Sequence, residues 1–165
     1  MADPSDSLFK VSESEYGESY REDYLTMYLA YVASADKISE RRYTANSFFL
    51  TINSGLLGVA GYFGADGDNL IWLAAAAGVL FSYTWKCLIR SYRSLNTAKF
   101  KVIHMLEARL PFAAYDEEWV VAKRGKDKSV HVPFSQVESL VPVIYMVLHT
   151  CVFVVNLALW SVATF

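Results

Sequence analysis

The sequence predicts a mostly α-helical integral membrane protein with three transmembrane helices, two of which extend into the cytoplasm, and a small cytoplasmic β-hairpin. Three observations carry that expectation. Hydrophobic residues make up 54% of the 165-residue chain and charged residues 19%, against roughly 45–50% and about 25% in soluble domains. The apolar excess is gathered into Phe48–Phe63, Leu70–Trp85 (running on to Ile89) and Leu140–Val162, where the only charged residue is Lys86. Helical periodicity continues past the first two runs, and a patch of β-branched residues flanks a polar loop near Gly125. Three core helices of a soluble domain this short would have to hide more apolar surface than such a domain can cover.

Residues 1–19 form a Ser- and Glu-rich tail with no apolar stretch of signal-peptide type, expected to be disordered. Residues 20–165 are read as a single membrane domain. Ser19 and Glu22 make a capping-box pattern, after which Tyr20, Tyr24, Tyr28, Tyr31, Ala35, Ile38 and Arg42 recur at helical spacing with no Pro or Gly before Gly55. One helix is therefore expected from Tyr20 through a first span at 46–63. Its apolar run is short unless Thr44-Ala45-Asn46-Ser47 serves as the interfacial end, since a span needs about 20 residues. The second span, 70–89, leads into the stripe Leu88, Ile89, Tyr92, Leu95, Phe100, Ile103, Leu106 and Leu110, which Pro111 ends. The six-residue link Gly64–Asn69 forces the two long helices antiparallel, so that residue i lies near 133 − i, within about a turn. Glu40 then faces Arg93 as an ion pair that fixes the register.

The cytoplasmic insert 90–139 contains the predicted hairpin at 119–132: Trp119–Lys123, a turn around Gly125-Lys126-Asp127, and Ser129–Val132. Pro133 and the Ser135–Glu138 capping pattern restart a helix that becomes the third span, 140–162.

Charge sets the orientation. Of the 15 Lys and Arg, five precede the first span and ten fall from Lys86 to Lys128, while the first connection carries only acids. Positive residues stay on the cytoplasmic side, which places the N-terminus in the cytoplasm and the C-terminus in the periplasm. Arg41, Arg42, Lys86 and Arg90 then lie just inside the membrane, where they set topology and meet anionic lipid. No nucleic-acid partner is expected.

Catalytic chemistry finds no support. Cys87 and Cys151 fall at different membrane depths, and His104, His131 and His149 have no carboxylate or thiol at ligand spacing. No nucleophile elbow, phosphate-binding loop, dinucleotide fingerprint or zinc-protease motif occurs. The chain is expected not to be an enzyme and to hold no cofactor or metal. Polar residues at membrane depth, chiefly Asn53, His149 and Asn156, mark helix contacts or a pore, with contacts the simpler reading. The aromatic stripe Tyr24, Tyr28 and Tyr31, which would lie in water on a monomer, points to burial in a homo-oligomer.

The segments ADKISERRYTANSFFLTINS (Ala35–Ser54) and WKCLIRSYRSLNTAKFKVIHMLEARLPFAAYDEEW (Trp85–Trp119) resemble the RipA family of bacterial octameric inner-membrane proteins. Paired Arg41-Arg42, Asn46, Asn53, Ser91-Tyr92-Arg93 and Leu110-Pro111 carry the resemblance, and the long helical hairpin is also similar to SLATT-type membrane effector domains. The family resemblance implies a homo-octamer of the bacterial inner membrane associated with intracellular growth, and it supplies no catalytic residues. Two functions follow: a scaffold or adaptor that engages an unidentified cytoplasmic protein, or a channel or membrane-permeabilising effector of a defence system.

Overall fold

The computed structural model describes residues 8–63, 71–125 and 134–164. A short helix α1 spans Glu13–Tyr16 within the acidic N-terminal stretch. Helix α2 runs Tyr20–Phe63 and α3 runs Ile71–Glu107, 44 and 37 residues without interruption. Both match the helices expected from periodicity, which continues through Gly55 because one glycine weakens a helix by only about 1 kcal/mol. Helix α4 covers Ala114–Val121, and α5 covers Phe134–Thr164 with Pro142 buried inside it.

Two compact units divide the chain: Met1–Ser39 with Leu95–His131, and Glu40–Ser94 with Val132–Phe165. In the first, α2 and α3 meet through Tyr24–Leu106, Tyr28–Glu107 and Ser34–Lys99. In the second they meet through Asn46–Trp85 and Asn53–Ser82. The paired residue numbers total between 130 and 135 in both units, the register that a short antiparallel link dictates. The second unit has its apolar core at Phe49, Trp85 and Ile89, with Leu88, Val141 and Tyr145 packed against it.

Two expectations are corrected. There is no strand among the described residues, and so no β-hairpin. Trp119, Val120 and Val121 close helix α4, Lys123–Gly125 forms a single 3₁₀ turn, and the second expected strand, 129–132, lies outside the described residues. The β-preference of the valines is weak and yields to context. Here the context is a helix start stabilised by the acids Asp116 and Glu117 in its first turn, which complement the helix dipole. Lys123, Arg124 and Gly125 are all left-handed, with φ of 50°, 53° and 67°, and so stop the helix.

Among the described residues two helices, not three, hold a stretch long and apolar enough to cross a membrane: Ile71–Glu107 and Val137–Val162. The run Phe48–Phe63 lies in α2 but falls short, because Thr51, Asn53, Ser54 and three glycines dilute its apolar residues.

Candidate functional site

In the first unit the chemistry collects around Glu107, the last residue of α3, whose side chain is 1% exposed. Its Oε1 accepts from the Tyr28 hydroxyl and the Tyr115 amide, and its Oε2 from the Asp116 amide, each at 3.0 Å. A carboxylate from one helix thus occupies the N-terminus of the next, satisfying amides that α4 leaves without internal partners. Burial, followed by the hydrogen bond to Glu107, pushes the Tyr28 phenol up to about 12. Burial also raises Tyr24, which donates to the Leu106 carbonyl at the open end of α3. Phe9 stacks on Tyr24 with its centroid 6.3 Å away, and the Arg109 guanidinium lies 3.2 Å over the Phe9 ring.

Beside this junction is a cavity of about 570 Å³ between α3 and α4, lined by Asn96, Phe100, Lys101, His104, Tyr115, Glu118 and Trp119 among others. Phe100 and Tyr115 meet edge to face at 72° with centroids 5.8 Å apart. His104 Nδ1 sits 3.7 Å from both Glu107 Oε2 and Asp116 Oδ1, too far for a hydrogen bond.

In the second unit a polar network joins α2, α3 and α5. Asn46 accepts from Trp85 Nε1 at 2.8 Å and donates to Glu138 Oε1 at 3.0 Å. Arg42 Nε stands 3.6 Å from that same oxygen. Asn53 is fully buried; it accepts from Ser82 Oγ and donates to the Phe49 carbonyl, both at 2.8 Å. Ser54 and Tyr145 share a hydroxyl hydrogen bond of 2.7 Å. His149 is fully buried with its ring against Gly78, where a Cβ would overlap the imidazole. The Asn46, Asn53 and Ser54 contacts settle polar atoms against protein instead of lipid, whereas both His149 ring nitrogens are buried without a hydrogen-bond partner.

The residues singled out by sequence therefore separate. Tyr24 and Tyr28 bond across to α3 in their own subunit, and Tyr31 lies under Lys99 Nζ, 4.5 Å from the ring centroid. Asn53 and His149 are interior, and Asn156 donates to the Val152 carbonyl of its own helix at 2.8 Å. Arg42 reaches Glu138, whereas Arg41, Lys86, Arg90, Glu40 and Arg93 are exposed. Sequence reasoning passed over Glu107 and Ser82, and gave Glu138 a capping role in place of its bond to Asn46. The available signal for Glu107 was a carboxylate at the helical spacing of the stripe Phe100, Ile103, Leu110. Among the described residues no group of three or more His, Cys, Asp and Glu is placed to hold a metal ion.

No curated protein and no solved structure matches the chain. A family model, the Octameric membrane protein family (8xMP), matches residues 25–158, which takes in most of α2, all of α3 and α4, and most of α5. With that match over most of its length, the chain belongs to the octameric membrane protein family.

Proposed function

We propose that the protein is one subunit of a homo-octamer of the bacterial inner membrane that acts as a non-enzymatic scaffold or adaptor for a cytoplasmic protein, in support of intracellular growth or stress adaptation. Family membership over residues 25–158 is the observation that carries this reading. Packing supports the scaffold over a channel: of the three candidates for lining a path, Asn53 and His149 are enclosed within one subunit and half-buried Asn156 bonds to its own helix. Outside the two candidate spans, Leu25, Met27 and Leu29 on α2 are 48%, 70% and 56% exposed, apolar surface that a neighbouring copy would cover. A head-to-tail contact that closes into a ring covers it on every subunit equally.

The basic connector between the candidate spans belongs in the cytoplasm by the positive-inside rule, which puts the end of α5 in the periplasm. Mass measurement of the detergent-extracted particle should give one species near eight copies, and a monomer at micromolar concentration would overturn the reading. Periplasmic reporters fused after Phe165 should be active and those fused at Gly125 silent.

A further inference from the structure

We propose that Tyr24 and Arg109 form a slot for an aromatic side chain, and that residues 8–16 of the same chain close it as a detachable strap. Phe9 fills the slot. It lies within 13° of parallel to the Tyr24 ring, and the Arg109 guanidinium stands 3.2 Å over its own ring. An aromatic side chain stacks on the first wall and attracts the second through its π-face. Both walls are fixed without the strap, since Arg109 donates to the Tyr20 hydroxyl at 3.4 Å and Tyr24 donates to the Leu106 carbonyl.

The strap is fastened by weak contacts. After α1 the chain turns at Gly17, whose φ of 97° suits glycine, and doubles back into α2. Glu13 accepts from Arg21 Nε at 2.9 Å, the Tyr16 hydroxyl donates to Asp23 at 3.0 Å, and the Tyr16 ring meets Tyr20 edge to face. Arg21 and Glu13 are 87% and 56% exposed, so solvent and salt weaken their attraction. No residue from 8 to 16 is fully buried. Segments held in this way open locally while the remainder of the fold stays closed.

The strap also displays the chemistry that the slot accepts. Phe9 is followed by Glu13 and Glu15, and the receiving surface presents Arg109 and Arg21. A segment that carries an aromatic residue with carboxylates a few positions on therefore competes for the same place. Such a segment on the cytoplasmic protein of the scaffold reading would displace the strap, and this clause alone rests on that reading. The strap and Tyr24 precede residue 25, where the family match begins, so family membership supplies neither.

The test is fluorescence anisotropy of a labelled peptide of residues 8–19 added to the full-length particle in detergent. The peptide should bind the Phe9→Ala particle about tenfold more tightly than the wild type, whose own Phe9 competes for the slot. Adding Arg109→Gln to Phe9→Ala should remove that binding with particle mass unchanged. A peptide with Glu13→Gln and Glu15→Gln should bind about threefold more weakly. Tryptic cleavage after Lys10 should be about tenfold faster in Phe9→Ala, because cleavage follows the open fraction. Equal peptide affinity for wild type and Phe9→Ala, binding that survives Arg109→Gln, or equal cleavage rates would overturn the strap. Unchanged affinity of the Gln peptide would overturn the acidic requirement. None of these readouts needs a partner protein, so the strap and the scaffold reading fail separately.

Discussion

Replacing Glu107 with Ala should unfasten α4 from the end of α3 while leaving the second unit folded. The side chain is 1% exposed and accepts three hydrogen bonds of 3.0 Å, two from backbone amides of the first turn of α4. Hydrogen bonds to a charged group contribute about 1.5–3 kcal/mol each, and loss of a helix cap alone costs about 0.5–2 kcal/mol. Because the three bonds share one carboxylate their losses do not add, and about 3 kcal/mol is a reasonable total. At 1.4 kcal/mol per factor of ten, that corresponds to roughly a hundredfold faster local opening. Amide hydrogen exchange across Tyr115–Val121 reads this directly, with Asn53 and its neighbours as the internal reference. Glu107→Gln should fall between, because its NH₂ would face one donor it cannot accept from. If exchange in α4 rises less than threefold in Glu107→Ala, the carboxylate does not hold the helix.

The other perturbations test separate contacts. Gly78→Ala drives a methyl into the His149 ring, so it should lower the melting temperature of the particle, with His149→Ala in the same chain restoring much of the loss; an unchanged melting temperature would refute the contact. Asn53→Leu leaves the Ser82 hydroxyl facing an apolar side chain in a buried site, and should destabilise by about 1–2 kcal/mol in denaturant titration. The Tyr28 phenol keeps its proton to about pH 12 when folded, against about 10 when unfolded. Its contribution is therefore intact below pH 10 and fades as pH rises from 10 to 12, a loss that Tyr28→Phe should abolish in ultraviolet and melting measurements.

What could be read from sequence was whatever rests on local repetition. Continuous helical spacing from Tyr20 onward and a short link after Phe63 determine two long antiparallel helices and their register, because neither depends on a distant partner. The hairpin expectation failed at the point where locality fails. Val120 and Val121 favour a strand taken alone, yet α4 begins at amides accepted by Glu107, which lies seven residues before that helix and ends a different one. No pattern within 119–132 contains that information. The apolar run Phe48–Phe63 misleads in the opposite way, since it holds no charge yet has hydroxyls, an amide and glycines spread through it.

The tyrosine stripe shows how one chemical detail moves a residue from one role to another. Counting apolar surface treats Tyr24 and Tyr28 as aromatic area in need of a neighbouring subunit. Their hydroxyls carry further information, because the last carbonyls of a helix have no intrahelical donors. Tyr24 donates to one of these at Leu106 and Tyr28 to the carboxylate beside it, so the stripe binds the helix opposite and its polar tips tie off the end of α3. Phenylalanine would supply the area without the donor. The surface left for a second copy is then the apolar set without polar tips, Leu25 and Leu29 one turn apart on one face of α2 and Met27 on the opposite face. Charged substitutions at those three positions, more than at the tyrosines, are the ones that should separate subunits while each hairpin stays closed.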